Sequence, residues 1–202
     1  MVSTTPLAPP LPVHLEGERV RLEPLTSAHA PGLRAAVEDG EIWKIPYAPH
    51  VPAPERIEEA TSGLLADVDA GRRVAWAVVD AADSRTVGLS TFMNFALADR
   101  GLEIGNTYLA ASAQRTGINA EMKLLLLRHA FEDLGCLRVE FRVHHLNIAS
   151  RRAVERLGAQ QDGILRAHRI LPDGTLRHTV VYSILADEWS GVKASLEHRL
   201  GR

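Results

Sequence analysis

Along residues 18–25, Val20 and Leu22 alternate with charged neighbours, the period-two pattern of a strand with one face buried. Two helices are predicted next. Residues 27–39 open on Ser27, a capping residue type, and residues 54–71 open on Pro54 and close on Gly71, the usual asymmetry of helix ends. Apolar runs at 73–80, 86–95 and 102–110 are separated by short pieces containing Asp83-Ser84 and Asp99-Arg100-Gly101, which predicts three strands in an antiparallel meander. Apolar residues at 122, 124–127, 130, 131 and 134 cover a wide helical face, and Gly135 stands where that helix should stop. Residues 137–143 alternate again, with Leu137, Val139, Phe141 and Val143 on one face, and 147–159 reads as a short helix stopped by Gly158. Two strands flank Pro172-Asp173-Gly174, a turn with proline and glycine where a hairpin needs them, and a helix over 187–200 closes the chain. This order predicts an α/β (α+β) mixed sheet covered by helices and does not fit a doubly wound repeat.

Composition narrows the class. Of 202 residues, 46% are hydrophobic and 24% charged, which is ordinary globular composition. A flexible lead-in over 1–12 followed by a single domain over 13–202 is the expected organisation. The first thirteen residues carry four prolines and lack the basic start and apolar run of a signal peptide. No segment is apolar for long enough to cross a bilayer, so no membrane partner is expected. The formal net charge of −2 provides no overall field for drawing the chain onto nucleic acid or anionic lipid. With 5% aromatic residues, a base-stacking platform is also disfavoured. The lone Cys136 permits no intramolecular disulfide and no cysteine-based zinc site; it suits a reducing cytoplasm and a packing role.

The polar stretch before the long apolar helix carries the first chemistry. Helix-opening amides lack intrahelical partners and sit at the positive end of the dipole, so Gln114-Arg115-Thr116-Gly117-Ile118-Asn119 can present N–H groups to phosphate oxygens. Gly117 allows close approach, and Arg115 adds charge. With one glycine and no Gly-Lys-Ser/Thr ending, the stretch matches neither the nucleoside-triphosphate loop nor the three-glycine dinucleotide pattern. An ordinary polar turn before a core helix also fits these residues.

Residues 14–200 resemble the GNAT N-acetyltransferases, and within them the branch of ribosomal-protein-alanine acetyltransferases. The family's acetyl-CoA loop, Gln/Arg-x-x-Gly-x-Gly/Ala, is similar to residues 114–119, with Asn119 where a small residue is usual and Ala120 following. A second motif, Asn-x-x-Ser/Ala before a helix ending Leu-Gly, is matched by Asn147, Ser150 and Leu157-Gly158. The resemblance implies a mostly antiparallel sheet splayed between strands 102–110 and 137–143, with acetyl-CoA in the gap. Its pyrophosphate would lie on the amides of 114–120 and its pantetheine arm along Thr107, Tyr108 and Leu109. Asn147 and Ser150 would contact that arm, and Arg151 or Arg152 would reach the nucleotide end; early-helix arginines can equally be solvated.

The implied reaction is direct attack of an amine on the thioester, which needs alignment, a base and an acid but no metal and no covalent enzyme intermediate. Glu103, on the strand bordering the splay, is the favoured base, with a structural ion pair as the alternative. Ser150 and Tyr182 compete as acid, because the tyrosine that many relatives carry seven residues after the asparagine is here Val154. Capping would equally explain Ser150, and core packing Tyr182. His168 in the hairpin and Trp43 and Tyr47 in the loop after the first helix are candidates for acceptor binding, or for packing. Residues 151–178 hold six arginines against Glu155, Asp162 and Asp173, an excess that could face cofactor phosphates, an acidic acceptor or a ribosomal partner. The expected acceptor is a peptide N-terminus or a small-molecule amine, and a homodimer is among the expected assemblies. A non-catalytic CoA-binding sensor of the same fold is the rival reading.

Overall fold

The computed structural model describes residues 5–202, and the first four positions of the proline-rich lead-in lie outside the described residues. Eight strands form one sheet in the order β1-β2-β3-β4-β5-β6-β8-β7. They are β1 (Leu15–Glu16), β2 (Val20–Pro24), β3 (Val74–Asp80), β4 (Thr86–Ala96), β5 (Gly101–Leu109), β6 (Arg138–His144), β7 (Gln160–Ile170) and β8 (Leu176–Leu185). The predicted meander is present, since β2 to β5 pair antiparallel in succession, and among the described residues only β5 with β6 is parallel. The expected mixed, mostly antiparallel sheet is therefore the architecture. The two-residue β1 is too short to show an alternation in sequence.

Five helices cover the sheet: α1 (Ala30–Glu38), α2 (Ile57–Asp69), α3 (Ile118–Arg128), α4 (Ile148–Glu155) and α5 (Trp189–Leu200). Both early helices are shorter than their sequence patterns, because 3₁₀ turns at Ser27–His29 and Pro54–Arg56 precede them. The long apolar stretch also changes character. After Arg128 it continues as a π-helical turn over His129–Asp133, in which His129 Nδ1 lies 2.7 Å from Asp133 Oδ2 and the imidazole stacks on Phe92.

The alternation along each strand separates two apolar layers. Val20, Leu22, Trp76, Phe92, Leu102, Ile104, Val139, Phe141 and Tyr182 pack with the apolar residues of α3 and α5. On the opposite face Ala75, Ala77, Leu89 and Tyr108 pack against Leu33 and Val37 of α1 and Ile57 of α2. From the lead-in, Leu7 joins the first layer and Val13 O accepts the Trp76 indole N–H at 2.7 Å. Among the described residues no helix is long and apolar enough to cross a membrane.

A buried charge pins α3 to the sheet. Glu121 is fully buried and accepts the backbone N–H groups of Glu18 at 3.1 Å, Arg19 at 2.6 Å and Val20 at 3.0 Å. The Arg202 guanidinium closes on the same carboxylate. Removing one member of such a group strands the rest without partners in a site poor in water. Glu121→Ala should therefore lower unfolding free energy by about 3–5 kcal/mol in urea denaturation. A loss below about 1 kcal/mol would mean water replaces the carboxylate at little cost.

Candidate functional site

The β5 and β6 strands pair at only three positions, Gly101 with Arg138, Leu102 with Val139 and Glu103 with Glu140, and then separate. Where they part, β5 also slips its register against β4 between Gly105 and Tyr108, and Asn106 takes a left-handed backbone conformation. A wedge in the sheet results, along which β5 and β6 no longer bond to each other. Side chains serve some of its main chain, as at Thr107 O, 3.2 Å from His50 Nε2, and Arg142 O, 3.2 Å from Arg177 Nη2. Beneath it, on the α3 face, lies buried Lys123, whose Nζ donates to Thr107 Oγ1 at 2.9 Å and stands 5.9 Å from the centre of the Phe141 ring. This side chain therefore spans from one wall to the other. Burial pulls its ammonium down to about 7.

At the end of β5 the chain turns through the 114–119 loop into α3. Gly117 is the helix N-cap, with a φ of 96° that an L side chain rarely adopts, and Arg115 is also left-handed. Thr116 Oγ1 donates to Ala113 O at 2.7 Å and Gln114 Nε2 to Leu109 O at 3.1 Å, so these two side chains brace the loop from within. Among the described residues the amides of Arg115, Thr116, Gly117, Asn119 and Ala120 have no acceptor. A cluster of free donors on the positive end of a helix suits a phosphate group. The aliphatic part of the Arg19 side chain lies across Gly117, so a second arginine stands by the loop.

On the other face of the wedge is a cavity of about 240 Å³. Its walls come from β4, β5, β6, the β7–β8 hairpin, the start of α4 and the loop carrying Tyr47 and His50. Glu103, 5% exposed, accepts from Asn94 Nδ2 at 2.6 Å and lies 3.5 Å from Arg142 Nε. Burial nevertheless dominates and raises its carboxyl above the usual range. Asn147 caps α4 by accepting from Ser150 N at 3.0 Å. Capping thus falls to Asn147, and Ser150 lines the cavity without that duty. A second cavity of about 330 Å³, richer in apolar walls, lies beside the first under α2 and shares His50 and Asn106 with it.

Residues 19–160 match the acetyltransferase (GNAT) domain family. The chain belongs to the GNAT acetyltransferase family. A relative in Bacillus subtilis (strain 168), the uncharacterized N-acetyltransferase YoaA, is 27% identical over 174 residues, covering 85% of this chain and 96% of its own. The crystal structure of a GCN5-related N-acetyltransferase from Brucella melitensis superposes with a TM-score of 0.85 at 31% identity, covering 96% of this chain and 88% of that one. Mycobacterium smegmatis RimJ in complex with CoA-disulfide shares the fold, with a TM-score of 0.73 at 24% identity over 96% of each chain.

In this N-acetyltransferase, Glu103, Asn147, Ser150, Tyr47 and His168 of the sequence-derived set line one cavity. Two candidates lie elsewhere. The Tyr182 hydroxyl faces α4, where it donates to Glu155 Oε1 at 2.9 Å and accepts from Arg151 Nε at 3.0 Å. Trp43 packs against the α1–α2 layer. Arg151 is thereby drawn inward while Arg152 is exposed. Burial raises the Cys136 thiol to about 11, which suits packing and not a nucleophile. Lys123, Arg142 and Arg177 were missed. A lysine within an apolar helical run was the one available signal, and the two arginines alternate in strands as any surface residue would.

The low Lys123 value fixes a pH dependence. Between about 7 and the ordinary 10.5 the unfolded chain holds this proton and the folded acetyltransferase does not, so stability rises with pH across that window. Denaturation midpoints of the ligand-free protein at pH 7 and 9 should show this gain, and Lys123→Met should be more stable at pH 7 and lose most of the slope. An unchanged slope would place the ammonium in contact with water.

Proposed function

We infer that the enzyme moves an acetyl group from acetyl-CoA to a primary amine, either a peptide N-terminus or a small molecule, by direct attack on the thioester. One observation carries this reading: the wedge between β5 and β6 connects a loop of free amides to a cavity holding a buried carboxylate. The residues suit the cofactor, because the loop offers donors and positive charge, and beyond Glu103 the β5 and β6 strands no longer pair with each other. The free amides of Arg115, Thr116, Gly117, Asn119 and Ala120, with the Arg115 and Arg19 side chains, would hold the pyrophosphate, Thr107 to Leu109 the pantetheine arm, and exposed Arg152 the nucleotide end. The RimJ fold neighbour is in complex with CoA-disulfide, which supports a CoA ligand for this chain.

Acetyl-CoA supplies the activated acetyl group. Glu103 accepts the proton that the amine must lose, and its raised affinity for protons suits a base working near neutrality. As the new C–N bond forms the thioester C–S bond breaks, and the Ser150 hydroxyl, on the α4 side of the cavity, would donate to the departing CoA sulfur, which leaves as the free thiol. Tyr182, held by Arg151 and Glu155, positions α4 against β8 in this reading.

Calorimetric titration with acetyl-CoA, followed by thiol release across a panel of amines and N-terminal peptides, tests the assignment. Glu103→Gln should bind acetyl-CoA normally but lower kcat by about 10²–10⁴-fold, and it should remove the acidic limb of the pH profile, where wild-type activity falls as Glu103 becomes protonated. Gly117→Glu should abolish acetyl-CoA binding while leaving the circular dichroism spectrum intact. Binding without acceptor-dependent release would favour a CoA sensor, and an absence of binding would remove CoA from the loop.

A further inference from the structure

Four arginines line the Glu103 cavity, and their charges are not equally answered. Arg73 pairs with Asp67 at 2.8 Å, and Arg142 lies 3.1 Å from Glu140 and 3.5 Å from Glu103. Neither Arg169 nor Arg177 has a carboxylate within ion-pair distance among the described residues. These two are direct partners across the β7–β8 ladder, an arrangement in which like charges repel. Arg177 is half-buried and held in place: its Nε donates to Thr179 Oγ1 at 3.0 Å and its Nη2 to Arg142 O at 3.2 Å. Those bonds use two of its five N–H groups and supply no negative charge. His168, bonded to Thr179 Oγ1 at 3.1 Å, completes a wall with no anion on it.

Glu103 acts on both arginines only from beyond ion-pair distance, and a half-buried guanidinium beside an exposed like charge is well matched to an oxyanion, since the guanidinium fork binds carboxylate or phosphate oxygens in pairs. The geometry points to an anion subsite at Arg169 and Arg177, so that the acceptor is an amine carrying a carboxylate or phosphate group. The inference rests on acetyl transfer in the same cavity. The amine would face Glu103 while the anionic end lies on the hairpin, and cationic polyamines would be repelled. A confined cavity with cations on one wall and one carboxylate on another also fixes the acceptor's direction of entry.

The test has two independent readouts. Glutarate and inorganic phosphate, which have no amine, are titrated calorimetrically into protein saturated with CoA at low ionic strength. Binding of either probe that weakens about tenfold or more in Arg177→Met, and in Arg169→Met at an exposed position, supports the subsite, and the stronger probe identifies the anion class. Binding of neither, or equal binding by wild type and both variants, overturns it. Thiol release is then compared for amino acids and dipeptides against their C-terminal amides, and for O-phosphoserine against serine. An advantage for the anionic forms that Arg177→Met abolishes and Arg177→Lys partly restores supports the acceptor class, and an advantage for the neutral forms overturns it. If glutarate or phosphate binds through Arg177 but no amine in the panel releases thiol, the anion subsite stands and acetyl transfer to those amines fails.

Discussion

The parallel contact between β5 and β6 is three residue pairs long, and the whole site depends on its being no longer. Those pairs keep the two halves of the sheet in one body. The register slip at Gly105 to Tyr108 and the left-handed Asn106 then turn the end of β5 away from its neighbour. Continued pairing would satisfy the main chain internally and close the wedge. Separation leaves a break in the sheet with Lys123 on its α3 side and Glu103 on the other face.

Burial is managed differently at each charged residue around this opening. Glu121 is compensated fully, by three amides and a guanidinium, and it fixes the helix beneath the 114–119 loop to the first long strand. Glu103 is compensated in part, by Asn94 and at longer range by Arg142, so its proton affinity rises. Lys123 has one neutral partner, the Thr107 hydroxyl, and its ammonium is correspondingly easy to deprotonate. Arg177 has neutral hydrogen-bond acceptors, a like-charged neighbour in Arg169 and Glu103 only at longer range, and burial lowers its affinity for its proton. The sequence Glu121, Glu103, Lys123, Arg177 runs from structural anchor to groups whose electrostatic needs are incompletely met within the chain.

Much of the candidate site was legible as local structure. The 114–119 loop reads from six consecutive residues, since a glycine before an apolar helix leaves amides exposed whatever the rest of the fold does. Asn147 and Ser150 read from a helix start in the same way, although the side chain that caps α4 proved to be the asparagine. Tyr182 could not be judged locally. Its strand position is compatible with either face of a site, and its role turned on which residues of α4 came to lie under it, Arg151 and Glu155.

Hydrophobic periodicity and capping signals by themselves determined the element order, the antiparallel meander and the place of the 114–119 loop before the apolar helix, because period and capping act over a few residues. Only the tertiary structure decided that β5 and β6 separate after three pairs, that Lys123 lies under the wedge, and that Arg169 and Arg177 face one cavity with Glu103. These are contacts between residues tens of positions apart. Strand alternation states which residues share a face, but the length of a strand pairing and the charge left unanswered in a cavity depend on all the elements packed around them.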